Sequence, residues 1–398
     1  MREEDQILRL RDNLYGWTEG CCSPIPMKVG EGDWKDAAQD LADHLLNSVS
    51  SARQGRRRPG RKHTSGPKST NHRALSKADS SYLAWSLIWV ALNVRDAVLV
   101  DQFHPSQSQQ RSILRALATW QRPDQGGASK SGFSLFDDIC FMRHRPTGQL
   151  FIISREHTSR RATAFLQSVE GDYTRPLLVE VDEAVSVGTT VKEPPSTLRA
   201  ILERLSALNE VPGHDSASAI FELTTLSHTA VGLAGWLLGY SSIYLFSNGS
   251  DSSQDDDIPI HLRVVLEVED SDEATDDEET WEEPLRNNLG GNELSLFKTS
   301  FALTSLSSIT QYIPLFAFTI PLAVLQHTWS AERVKVNLIE DLERRRLAAT
   351  QRLQMLMDTA PNDAAQGDGR PLPTFHRLLS HFETHVDVSQ VELPRIAL

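Results

Sequence analysis

Three stretches of this chain carry no charged residue: Ser80 to Val94, Leu223 to Ser250 and Thr299 to Ala331. Such stretches must be buried, either in protein or in lipid. A membrane-crossing helix needs about 20 consecutive, predominantly apolar residues. Ser80 to Val94 is too short, and Leu223 to Ser250 is broken by Gly232, Gly235 and Gly239. Thr299 to Ala331 holds Gln311, Gln326, several Ser and Thr, and prolines at 314 and 321. All three therefore read as protein core rather than membrane span, and they predict a soluble fold assembled around them.

The charge excluded from these stretches collects elsewhere. Fifteen carboxylates against Arg263 alone lie between Asp251 and Glu283, so this one tract accounts for the net charge of -13. The opposite bias comes earlier, where Arg53, Arg56, Arg57, Arg58, Arg61, Lys62, Lys68, Arg73 and Lys77 run without an acid. Neither tract has enough apolar residues to offset the entropy of ordering it, so both read as disordered inserts. The basic tract has the composition of a nuclear-localisation or nucleic-acid patch, but lacks the aromatics that would stack bases. Inert disorder is the plainer reading.

Three cysteines, two of them adjacent at 21 and 22, make no disulfide framework and fit neither a zinc site nor a C-x-x-C pair. A reducing compartment follows. The acids in MREEDQILRL suit neither a secretory signal nor a transit peptide. The expected location is the cytosol, with the nucleus as the alternative.

Apolar spacing supplies the elements. Trp34, Ala37, Leu41 and Leu45 recur at helical intervals after a capping Asp33, and SSYLAWSLIWVALNV is apolar all round, as a buried helix is. AVLVD is a short strand, and Ser106 caps a helix carrying Ile113, Leu114, Leu117 and Trp120. FDDICFMRH and GQLFIIS form a hairpin, RPLLVEVDE is a strand, and Leu198, Ile201, Leu202, Leu205 and Leu208 stripe a helix. Ala219 to Leu223 is a strand, a small-residue helix stops at Gly239, and SSIYLF, HLRVVLEVE, ELSLF and YIPLFAFTI read as strands. The last helix, about Ser330 to Met357, has a charged middle and an apolar face through Val334, Leu338, Leu342, Leu347 and Leu353.

Strands alternating with helices, plus a hairpin, predict an α/β layered fold: a mixed β-sheet flanked by helices, with disordered charged inserts. The expected organisation is a helical segment at 1–47, a basic disordered loop at 48–78, and an α/β domain at 79–359 with an acidic insert at about 248–290. A linker at 360–373 leads to a C-terminal segment, 374–398, that packs back on the domain.

Several phrases also look familiar. LLGYSSIYLF (Leu237 to Phe246), FAFTIPLAVL (Phe316 to Leu325) and VELPRIAL (Val391 to Leu398) occur in that order. They resemble the LLGY-x-x-Y-x-F, F-S-V-P-like and closing L-P-x-x-A-L phrases of an uncharacterised protein family, UPF 0739. AVLVD (Ala97 to Asp101) is similar to that family's early apolar strand ending in Asp, and IISREH (Ile152 to His157) is a further match. The resemblance spans about Ala97 to Leu398; the basic, acidic and linker segments here are extra. It implies no activity, cofactor or site residue.

No phosphate-binding loop, G-x-G-x-x-G, G-x-S-x-G or H-E-x-x-H pattern is present. His381 and His385, four apart with Glu383 between and His376 upstream, would share one helix face, with Glu383 facing away from both. A solvated helix is the expectation, with no metal and no cofactor. Asp101 follows a buried strand, where open α/β sheets place ligand crevices, with Gln102 and His104 after it. Glu156 and His157 likewise end an apolar strand, and a His beside an acid can act as a general base when a substrate proton is in reach. For all three the plainer reading is an exposed strand end or a turn cap. Cys140 reads as core rather than nucleophile, and Gly235 and Gly239 as close helix packing and a helix stop.

Two functions remain open. The first is a non-catalytic protein acting through protein partners, its charged inserts suited to contacts. The alternative is a small-molecule enzyme with a pocket near Asp101, Glu156 and His157, which requires those residues to converge.

Overall fold

The computed structural model describes residues 38–47, 76–101, 105–120, 135–168, 175–181, 189–211, 219–225, 229–246, 260–265, 293–304, 310–327, 330–359 and 371–392. Asp33, Trp34, the basic loop as far as 75, most of the acidic insert and the linker at 360–370 lie outside these residues.

Local chemistry sets where the first elements begin. Helix α1 covers 38–47 and buries Ala38, Leu41, Ala42 and Leu45. Helix α2 (Lys77–Ala91) starts inside the expected loop, because Ser76 and Asp79 cap each other's backbone N–H groups. Strand β1 (Ala97–Leu99) follows, then α3 (Gln107–Thr119), where Ser106 and Gln109 repeat the device. Strands β2 (Ile139–His144) and β3 (Leu150–Ser154) form the hairpin, with Gly148 at φ +66° in its turn.

Next come α4 (Arg155–Gln167), β4 (Leu177–Val181), β5 (Thr189–Val191), α5 (Ser196–Ser206), β6 (Ile220–Thr224), α6 (Ala230–Leu237), β7 (Ser242–Phe246) and β8 (His261–Val264). The chain ends in β9 (Glu293–Thr304), β10 (Thr310–Pro321), α7 (Leu322–His327), α8 (Ala331–Thr359), α9 (Pro371–His381) and β11 (Glu383–Glu392).

The class is α/β, as expected, and the strands divide among three sheets. A mixed five-stranded sheet has the order β1-β3-β2-β6-β8, with β2 and β6 parallel. A mixed three-stranded sheet is β5-β4-β7, and an antiparallel one is β10-β9-β11. In the last, β9 and β10 are longer than ELSLF and YIPLFAFTI suggest. The register of β10 shifts between Pro314 and Phe316, a bulge at a strand edge, where proline is tolerated.

The sheets share three cores. One face of the five-stranded sheet (Val98, Phe141, Ile152, Ile220) packs with α1, α2 and α3 and with Leu342, Ala349 and Leu353 of α8. Its other face (Cys140, Met142, Phe151, Phe221) meets α4, α5, α6 and Ile243 of β7. The third core joins β4 to Phe297, Phe318 and Ile320 of the antiparallel sheet and to Val334 and Leu338 of α8. The single long helix α8 therefore belongs to two cores.

Three expectations need correction. Leu347 is not on the buried face of α8: it is 53% exposed, and Ala349 occupies the buried stripe instead. The helix ends at His381, so His381 and His385 do not share a helix face; Glu383 and His385 belong to β11, which pairs with β9. Finally, α9 begins at Pro371, inside the expected linker, with proline in the first turn where its missing N–H costs nothing. Among the described residues no helix is long and apolar enough to cross a membrane, and no cluster of three His, Cys, Asp or Glu could hold a metal ion.

Candidate functional site

Among the described residues, a buried cluster of charges is built by the turn between α2 and β1. Asn93 takes the left-handed conformation (φ +58°), and the N–H groups of Val94 and Arg95 both donate to the Trp89 carbonyl at 2.9 and 3.1 Å. This tight reversal turns Asp96 inward, with its side chain 1% exposed. Helix α4 supplies His157 and Arg161, one turn apart, and α8 supplies Asp341 and Arg345, also one turn apart. His157 Nε2 lies 2.6 Å from Asp96 Oδ1, Arg345 Nη1 donates to the same oxygen at 2.8 Å, and Arg161 Nη1 lies 3.1 Å from Oδ2. Arg345 Nε also donates to Asp341 at 2.7 Å.

Burial alone would raise the Asp96 carboxyl; the Arg161 and Arg345 guanidinium groups and His157 outweigh it and hold it well below the usual carboxylate range. Burial would likewise lower Arg345, but Asp96 and Asp341 push it above its ordinary value. For Arg161 burial wins, and the guanidinium lies below its ordinary value despite Asp96. The carboxylate is thus a fixed negative charge that ties α4 and α8 to the start of β1.

Helix α6 closes the other side. Its C-terminus is a Schellman turn: Gly239 N–H donates to Trp236 O and Tyr240 N–H to Gly235 O, both at 3.1 Å, with Gly239 at φ +75°. The expected stop at Gly239 is thereby present. A Cβ at Gly239 would overlap the Asp96 carboxylate. Arg161 also donates to the Trp236 and Leu237 carbonyls and stands 4.2 Å over the Trp236 ring, a cation on the negative end of the helix. Gly235 packs on Ile243, as expected of close helix packing.

The three candidate residues do not converge. Because β1 and β3 are antiparallel, with Ala97 opposite Ile153 and Leu99 opposite Phe151, their C-terminal ends point in opposite directions. Asp101 lies exposed beyond one end, and Glu156 and His157 lie beyond the other. Neither Glu156 nor His157 ends a strand: β3 stops at Ser154, whose side chain accepts from His157 N–H and starts α4. Only His157 joins the Asp96 cluster. Glu156 is more than half exposed and lies 3.8 Å from Arg160, one helical turn away. Gln102 and His104 lie outside the described residues. Cys140 is buried core, its thiol pushed by burial up to about 12, far from a nucleophile at neutral pH.

Asp96, Arg161 and Arg345 went unmarked in the sequence, although a signal existed. Arg95 and Asp96 are the only charges between Ser80 and Val100, and an ion inside so apolar a run must find a partner.

A second buried polar group lies where the parallel strands β2 and β6 end. His144 is fully buried; its Nδ1 is 2.8 Å from Thr147 Oγ1, its Nε2 is 2.8 Å from Thr225 Oγ1, and Thr225 in turn bonds Thr229. Burial lowers His144 from the ordinary 6.5 to about 4. The unfolded chain then binds the proton more readily, so stability is lost as pH falls from about 6.5 through 4. The loss is worth about 3 kcal/mol. Urea unfolding from pH 7 to 4 is expected to show this slope in the wild type and to lack it in His144→Gln; parallel slopes would remove His144 from the account.

Fold and junction together define an α/β protein whose cores meet at one buried carboxylate. No protein-family model, no curated protein and no solved structure matches the chain.

Proposed function

We propose that this is a non-catalytic α/β protein of the cytosol or nucleus that acts through protein partners, and that α8 is its contact element. The observation that carries this reading is the outer side of that helix. Val336, Leu347 and Met355 are 42%, 53% and 61% exposed. At roughly 100° per residue Val336 and Leu347 lie opposite the buried stripe of Val334, Leu338, Leu342, Ala349 and Leu353, and Met355 flanks them. They extend over roughly 28 Å at ~1.5 Å per residue, which suits a partner lying along the helix. Methionine is among the residues that interfaces enrich. The basic and acidic tracts add charged segments that can steer a partner.

Membership of UPF 0739 is part of the same proposal. It is supported by the way two of the resembling phrases pack: Tyr244 Oη donates to Thr319 O at 2.7 Å, and the Tyr240 and Phe318 rings stack at 5.7 Å. The small-molecule enzyme reading has less support, since Asp101 and Glu156 stand apart from His157.

Leu347→Asp with Met355→Asp is expected to abolish recovery of a stoichiometric partner from cells while leaving the thermal midpoint unchanged. Equal recovery by both proteins, or no stoichiometric partner with the wild type, counts against the proposal.

A further inference from the structure

The outer side of α8 is a strip with anchored borders. Along one border Glu343 accepts from Thr384, and Arg346 donates to the Leu379 carbonyl. Along the other, Arg345 donates to Asp96 and Arg352 lies 3.6 Å from Asp138. At ~100° per residue these anchors leave an outer arc of roughly 160°, a width that suits one helix laid along α8. Val336, Glu340, Arg344 and Leu347 stand exposed on that arc. Glu340 and Arg344 are one turn apart but do not pair with each other. Arg344 donates to Asp341 at 2.8 Å, and Glu340 makes no ion pair among the described residues.

We propose that this strip is a dimer interface, on which a second copy of the chain lays its own α8 antiparallel. The proposal rests on the reading of α8 as the contact element and names the partner. From Val336 to Leu347 the strip runs apolar, acidic, basic, apolar. Turned end for end, it presents each position with its complement, as a twofold interface requires. With the axis between residues 341 and 342, Val336 of each copy comes level with Leu347 of the other, and Glu340 comes within ~1.5 Å along the axis of the opposing Arg344. A parallel pair would instead set Glu340 against Glu340 and Arg344 against Arg344, which like charge disfavours. A single helix pair lies at the small end of interface sizes, so a reversible dimer with a Kd on the order of 10 µM is expected.

Sedimentation velocity of the full chain, over concentrations spanning that value, tests the assignment. The wild type is expected to pass from monomer to dimer, and Leu347→Asp to stay monomeric throughout. Glu340→Arg and Arg344→Glu should each weaken association about tenfold or more, because each places like charges together at both symmetry-related contacts. The double exchange, Glu340→Arg with Arg344→Glu, should restore the dimer, and all four variants should melt within a few degrees of the wild type. A wild type that stays monomeric at the highest concentration overturns the proposal, as does a dimer that survives Leu347→Asp. Failure of the double exchange to restore association overturns the antiparallel arrangement. A monomeric wild type that still recovers a different stoichiometric protein from cells, in a manner lost with Leu347→Asp, overturns self-pairing alone and leaves α8 as the contact element.

Discussion

Replacing Gly239 by alanine is expected to cost about 4 kcal/mol of stability, seen as a fall of roughly ten degrees in Tm. Two separate effects add. A non-glycine residue at φ +75° costs on the order of 1 kcal/mol. The new Cβ also overlaps the Asp96 carboxylate and must displace it from Arg161, Arg345 and His157. Breaking a buried ion cluster costs about 3–5 kcal/mol. Gly235→Ala is the control, since its Cβ would meet Ile243 at an ordinary 3.6 Å within a helix that alanine favours. If the two variants melt at the same temperature, the Asp96 contact is not what requires glycine at 239.

The second large effect is expected from Asp96 itself. Asp96→Asn keeps the shape but leaves two guanidinium groups facing each other with no buried anion between them, a loss of about 3–5 kcal/mol at neutral pH. The pH dependence has a definite sign. The folded-state carboxyl lies below its unfolded value, so its contribution is fully present above about pH 4 and is lost as pH falls from there toward the folded value. Wild type and Asp96→Asn should therefore keep a constant gap from pH 7 to about 4 and converge only in stronger acid. A gap that closes between pH 6 and 5 would falsify the assignment of Asp96 as a strongly held anion.

Much of the fold was legible because its causes are local. The Ser106 cap, the Arg145 to Gly148 turn and the Gly239 stop are each settled within a few residues, and each forms as the sequence predicts. The misreadings arose where two periods competed. ETHVDVSQVE alternates Val386 and Val388 as a strand should, yet the spacing of four between His381 and His385 suggested a helix. Leu347 is apolar, but five residues past Leu342 and six before Leu353 it lies about 120–140° around the helix from either, so the helical period itself turns it outward. The site was the least legible part. Arg345 looks like one charge among many between Glu340 and Arg346, and nothing local distinguishes it from Arg344, which stays 62% exposed.

Arg345 reaches Asp96 across 249 positions of chain, whereas His157 reaches it across 61. At ~5–20 residues per second a ribosome needs roughly 12 to 50 seconds to cover that distance. For about the last three quarters of this interval the aspartate has its histidine and its first arginine, but the long helix that joins two cores has not been made. The nascent chain can assemble the hairpin and its flanking helices around a carboxylate that is only partly neutralised. Closure waits for nearly the last helix, so a chain cut short before residue 345 has no means of completing the junction on which the rest converges.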